Sequence, residues 1–130
     1  MSFHLVIIED DPAIQEVYRL LLESEGYKVT ISPTCYDDLQ AFAGLQPDLL
    51  ILDLIINGKA CGWSFLQAVK SFPLTASLPV LIMTAAGPFA AEWMDFIQRK
   101  DIPLLVKPFD IESFLLQVRQ LLAQRADTSR

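Results

Sequence analysis

Leu49-Leu50-Ile51-Leu52-Asp53-Leu54 is the stretch on which the fold turns. Introduced by Pro47-Asp48, an apolar run meets one carboxylate, and the polar loop residues Asn57, Gly58 and Lys59 follow. A continuous apolar run without alternation reads as a strand covered on both faces, as in a parallel sheet. Ligands of such sheets sit outside the carboxyl ends of the strands, which puts Asp53 where chemistry is expected. Taken alone, Asp53 would simply start a turn. What the other strand ends bring to it decides between the two readings.

Upstream, Phe3-His4-Leu5-Val6-Ile7-Ile8 is a second apolar, β-rich run that breaks into Glu9-Asp10-Asp11. Asp11 before Pro12 predicts a helix start, with the acid as N-cap and the proline at the first helical position. Ile14, Val17, Leu20 and Leu21 then recur at helical spacing as far as Gly26. Tyr27–Ile31 reads as a short alternating strand, and Thr34 is expected to cap a helix carrying Leu39, Phe42 and Ala43 and ended by Gly44. Downstream, a helix is expected from about Trp63 to Phe72, then an apolar strand Pro79–Thr84 that ends on a hydroxyl. Gly87-Pro88 introduces a helix from about Phe89 to Arg99, and a fifth strand, Ile102–Val106, ends at Lys107-Pro108. Asp110 caps a last helix with the apolar stripe Phe114, Val118, Leu121 and Leu122.

Parallel strands need crossover helices, so five strands alternating with five helices predict an α/β fold, a doubly wound five-stranded parallel sheet. One domain over residues 1–125 is expected, with a polar tail at 126–130. The chain has 130 residues, 52% of them apolar and 20% charged, which suits a globular domain with a proper core. A net charge of -6 argues against direct nucleic-acid binding, which needs a basic face. No apolar run is long enough for a membrane span, and the acids after Ile8 argue against a secretory leader, so a cytoplasmic location is expected. Cys35 and Cys61 are expected as reduced thiols, and His4 as the only histidine argues against a zinc site. His4 itself reads as a strand-start residue.

Glu9 and Asp10, Asp53, Thr84 and Lys107 would thus fall at the ends of four different strands on one edge of one sheet. Carboxylates brought together repel one another unless a cation lies among them. Their hard oxygens suit Mg²⁺, which is usually held by one or two carboxylates plus phosphate oxygens. Lys107 supplies a compact positive charge for one phosphoryl oxygen, and the Thr84 hydroxyl a hydrogen bond for another. These are the parts that stabilise a phosphoryl group in transfer. Asp53 is then the nucleophile of an aspartyl phosphate, since Thr84 has no base to activate it.

The stretch from Phe3 to about Ala123 resembles the receiver domain of two-component response regulators. Ile7-Ile8-Glu9-Asp10-Asp11-Pro12, Leu52-Asp53-Leu54, Met83-Thr84-Ala85 and Val106-Lys107-Pro108-Phe109 carry the resemblance. It implies a flavodoxin-like (βα)5 fold of strand order 2-1-3-4-5 in a protein that catalyses only its own phosphorylation and dephosphorylation. Asp53 would accept a phosphoryl group from a sensor histidine kinase or a phosphotransfer protein. Mg²⁺ would be held by Glu9 through water, by Asp10 and Asp53 directly, and by the main-chain carbonyl of Ile55. Thr84 would be the switch hydroxyl and Lys107 the phosphoryl contact, with a cis Lys107–Pro108 bond.

Three departures from the family pattern stand out. Asn57 occupies the place of a proline, and Gly62 lies one residue late, so the loop after Asp53 carries an apparent insertion. Leu104 stands where an aromatic switch is common. Lys100-Asp101-Ile102-Pro103 replaces a Gly-Ala turn, and Pro103, without a ladder donor, fits an edge strand or a strand's first residues. Ile55 and Ala86, at positions that tune phosphoryl lifetime, cannot orient water, so slow self-dephosphorylation is expected. Phe89, Trp93, Met94, Phe96 and Ile97 cover more than one face of their helix, more than one apolar stripe requires. Part of that helix, with the fifth strand and last helix, is therefore expected to form a partner surface unless Phe89 and Trp93 are both fully buried. Ser113 and Gln117 take the place of salt-bridging charges, so the symmetric dimer of winged-helix regulators is not the expected default.

Other functions fit these residues less well. A haloacid-dehalogenase-type phosphatase wants a second acid where Ile55 stands, and a flavin-binding domain wants a hydroxyl-rich loop where Glu9-Asp10-Asp11 stand. A docking-only pseudo-receiver would not need Asp53. The chain is expected to be either a free-standing regulator or a receiver cut from a longer protein.

Overall fold

The computed structural model describes residues 2–85 and 91–128. In chain order the elements are β1 (His4–Ile8), α1 (Pro12–Ser24), β2 (Lys28–Ser32), α2 (Leu39–Gly44), β3 (Leu49–Leu52), α3 (Cys61–Ser71), β4 (Val80–Ala85), α4 (Ala91–Arg99), β5 (Leu104–Lys107) and α5 (Ile111–Thr128). The five strands form one sheet in the order β2-β1-β3-β4-β5, and every pairing is parallel. This is the doubly wound, flavodoxin-like arrangement expected from the sequence.

Alternate residues of each inner strand serve different cores. Val6, Ile8, Leu50, Leu52, Val80 and Ile82 face the side covered by α2, α3 and α4. Leu5, Ile7, Leu49, Ile51, Leu81 and Met83 face α1 and α5. With helices on both faces neither set can be polar, which is why these strands read as unbroken apolar runs. β2 and β5 lie at the edges and are less buried. Pro103, immediately before β5, lacks an amide donor, but its carbonyl accepts from Ile82 at 3.0 Å.

Local signals set most helix starts. Asp11 caps α1 by accepting from the Ala13 amide at 2.9 Å, and Pro12 opens the helix. α2 corrects the expected cap: Asp38, not Thr34, accepts from Gln40 and Ala41. An aspartate this near the helix satisfies two orphan amides, whereas the Thr34 amide is held in a turn by the Ser32 hydroxyl. α3 starts two residues before Trp63, at Cys61. α5 continues to Thr128, so residues 126–128, expected in the tail, are helical. Gly87, Pro88 and Phe89, read as the start of the fourth helix, lie outside the described residues.

Candidate functional site

Strand register brings the predicted residues to one edge. Ile8 pairs with Leu52, and Ala85 with Lys107, so the residues after β1 and β3 and the ends of β4 and β5 share the carboxyl rim of the sheet. Glu9, Asp53 and Thr84 are buried there. Lys107 Nζ donates to Glu9 Oε1 at 2.7 Å and to Asp53 Oδ2 at 3.0 Å. One ammonium therefore joins acids that lie 98 and 54 residues away in sequence. The Lys107–Pro108 peptide is cis, as the resemblance implied.

Asp10 is aimed elsewhere. Its Oδ2 accepts from the Asn57 amide at 2.8 Å, while Glu9 Oε2 accepts from the Asp11 amide at 3.0 Å. Asp53 Oδ1 accepts from the Ile55 amide at 3.1 Å. Among the described residues no group of three His, Cys, Asp or Glu side chains forms a ready metal cage. The donor set is nevertheless all hard oxygen: of its three carboxylates, Glu9 and Asp53 share one ammonium, and Asp10 meets a main-chain amide. That imbalance suits a small divalent cation.

The ionisation of the cluster follows from this geometry. Burial raises the Glu9 carboxyl above its ordinary 4.5, outweighing the Lys107 and Asp11 hydrogen bonds that pull it down. The Asn57 amide lowers Asp10 below 3.8. Burial would lower Lys107, but its hydrogen bonds to Glu9 and Asp53 overcome that and hold it above 10.5. At neutral pH the lysine is fully charged.

The loop after Asp53 absorbs its extra residue in a tight turn. Ile56 and Lys59 pair across Asn57 and Gly58, with amide-to-carbonyl distances of 2.8 and 3.0 Å. Asn57 (φ 53°) and Gly58 (φ 74°) are both left-handed, the backbone of a two-residue hairpin turn, which Asn-Gly suits better than other pairs. Gly62 then passes so close to Asp53 that a Cβ there would meet the Asp53 carbonyl oxygen and lie 2.8 Å from Leu54 Cα. Neither role was read from the sequence, although Asn57-Gly58 is a recognisable hairpin signal. Gln15, also unforeseen, donates from Nε2 to the Glu9 carbonyl at 2.6 Å.

Leu104 is partly buried against the core beneath α3 and α4. Trp93 is half-buried and stacks on Trp63 with ring centroids 5.1 Å apart, while Phe96 meets Trp63 edge-on at 5.3 Å. The full burial that would remove the partner-surface idea is thus not met at Trp93, and Phe89 and Ala86 lie outside the described residues. Ile55 is 41% exposed. Arg119 of α5 is engaged within the chain by Glu25, at 2.8 Å. His4 starts β1 with its ring held on both sides.

The sequence model of the response regulator receiver domain matches residues 5–119. The DNA-binding dual master transcriptional regulator RpaA of Synechocystis sp. is 37% identical over 118 residues, covering 91% of this chain and 48% of that protein. The chain therefore spans about half the length of this curated relative. The signal receiver domain of a DNA-binding response regulator protein (merR) from Colwellia psychrerythraea superposes with a TM-score of 0.77 at 26% identity, covering 94% of this chain and 99% of that one. The receiver domain of sensor histidine kinase PA1611 from Pseudomonas aeruginosa, with magnesium in its active-site cleft, shares the fold at TM-score 0.77 and 18% identity, covering 95% and 99%.

Proposed function

The chain belongs to the response regulator receiver domain family, and on that premise we propose that Asp53 accepts a phosphoryl group from a phosphohistidine donor in a Mg²⁺-dependent reaction. The single observation that carries this reading is Lys107 bridging Asp53 and Glu9 at hydrogen-bond distance. It supports a site in which an incoming phosphoryl group finds a carboxylate and an ammonium side by side.

An Asp53 carboxylate oxygen forms the new bond to phosphorus as the bond from phosphorus to the donor imidazole nitrogen breaks, and the imidazole leaves. Lys107 turns from the carboxylates to one phosphoryl oxygen, where its positive charge offsets the charge developing in transfer. The Thr84 hydroxyl donates to another. Glu9 through water, Asp10, Asp53 and the Ile55 carbonyl would hold Mg²⁺, which would supply charge neutralisation for the transfer. No second acid follows Asp53 at position 55, so the product is a phosphoprotein rather than a released phosphate. Ile55, apolar and exposed, cannot orient an attacking water, which favours a long-lived phosphoryl group. The output surface lies on α4, β5 and α5, where Val106 (44%) and Leu116 (52%) are exposed and Trp93 and Met94 half-buried. No helix among the described residues is long and apolar enough to cross a bilayer.

Incubation with acetyl phosphate and Mg²⁺ tests the reading. The expected result is one hydroxylamine-labile phosphoryl group per chain, lost in Asp53→Asn and on chelation of the metal. An acid-stable label that persists in Asp53→Asn overturns it.

A further inference from the structure

Two cysteines 26 residues apart in sequence meet beside the acceptor loop. Cys35 lies in the β2–α2 connection and Cys61 is the first residue of α3, and their sulfurs are 3.5 Å apart. Both are free thiols and half-buried. A surface groove of about 320 Å³ reaches the pair, lined also by Tyr36, Asp37, Leu39 and Ser64. Small oxidants can therefore enter from solvent.

The hydrogens of the two thiols are in use. Cys35 Sγ donates toward Cys61 Sγ, and Cys61 Sγ lies 3.9 Å from the Ile56 carbonyl. Ile56 anchors the tight turn whose Asn57 amide holds Asp10. The next residue after Cys61, Gly62, abuts the backbone of Asp53. Any change in the position of Cys61 is passed directly to the acceptor loop.

We propose that Cys35 and Cys61 form a reversible intramolecular disulfide that lowers phosphorylation of Asp53; the coupling, though not the disulfide, rests on the receiver reading above. Bond formation requires the sulfurs to close by about 1.5 Å. The oxidant is a low-molecular-weight disulfide such as glutathione disulfide. One protein sulfur bonds to a sulfur of the oxidant and expels the first thiol; the second protein sulfur then displaces the other thiol. The protein loses two electrons and two hydrogens, which leave with the two released thiols. The Ile56 carbonyl thereby loses its sulfur donor, and the first turn of α3 is drawn toward the β2–α2 connection. Reaction geometry at Asp53 tolerates little displacement, so a loss of about tenfold in initial rate is expected.

The full chain is treated with glutathione disulfide or with dithiothreitol, and both intact mass and the rate of Asp53 labelling by acetyl phosphate are measured. The expected oxidised species is a monomer lighter by two hydrogens, with a Cys35–Cys61 bond on peptide mapping and slower labelling that dithiothreitol restores. Cys35→Ser and Cys61→Ser label at the same rate under both conditions. Glutathione adducts or linked dimers in place of the internal bond overturn the site, and equal labelling of both redox forms overturns the coupling. A bond that forms in a protein labelled in neither state upholds the site and overturns the receiver reading.

Discussion

At the amino end of the sheet, the His4 ring lies between the Leu45 carbonyl at 2.9 Å and Thr30 Oγ1 at 2.7 Å. The His4 amide donates to Asp48 Oδ2 at 2.8 Å, and Arg125 stands 3.8 Å from Asp48 Oδ1. At the carboxyl end, Glu9 and Asp53 share the single ammonium of Lys107, and Asp10 beside them meets the Asn57 amide. One rim closes its polar groups on one another, and the other is left with surplus negative charge. Buried polar groups without partners cost free energy, so a sheet has reason to keep such a surplus only where something else is to be bound. The contrast separates architecture from chemistry within one sheet.

Removing the cation from the acidic rim should have the largest effect. Lys107→Met leaves Glu9 buried beside Asp53 with no counter-charge, and urea denaturation at neutral pH is expected to show a loss of about 3 kcal/mol together with loss of phosphorylation. Unchanged stability would mean that this rim is as self-sufficient as the other. Gly62→Ala comes next. Its methyl group would press on the Asp53 and Leu54 backbone, costing about 2 kcal/mol and slowing labelling of Asp53. His4→Phe strands the Leu45 carbonyl and the Thr30 hydroxyl, for about 1.5 kcal/mol of stability, and should leave the labelling rate unchanged. An altered rate would show that the two rims are not independent.

Glu9→Gln should act in the opposite direction. Burial raises the Glu9 pKa in the folded state, so folding binds its proton more tightly than the unfolded chain does. The stability linked to this group is fully present below about pH 4.5 and is lost as pH rises through the raised value. The glutamine variant should therefore be more stable than the wild type at neutral pH and no more stable at pH 4, read by urea denaturation at both. Asp10 is the smallest case and has the reverse sign. Its pKa is lowered by the Asn57 amide, so that contact is present above 3.8 and is lost as pH falls below it. The Asn57 amide resonance should titrate below 3.8, and a midpoint above that value would remove the amide from the account.

Reading the sequence located the acidic rim better than the loop that shapes it. Unbroken apolar strands ending in Glu9, Asp53, Thr84 and Lys107 are a local pattern, and parallel topology leaves only one rim for all of them. Thr34 was a plausible cap, but nearby Asp38 competes better because its carboxylate takes two amides. The extra residue after Asp53 was visible as an irregularity. That Asn57-Gly58 folds it into a hairpin turn was also within reach of the sequence, since few other pairs accept two left-handed residues in succession.

By itself the sequence determined the order of elements, the parallel sheet and which side chains reach its carboxyl rim, because hydrophobic period and strand-ending polar residues are properties of short stretches. Only the tertiary structure decided how those charges divide. Lys107 went to Glu9 and Asp53, while Asp10 was claimed by a main-chain amide 47 residues away. It also set Cys35 against Cys61 and Gly62 against Asp53. Those contacts depend on how separate segments pack, and their approach is a matter of ångströms that no local pattern of residues encodes.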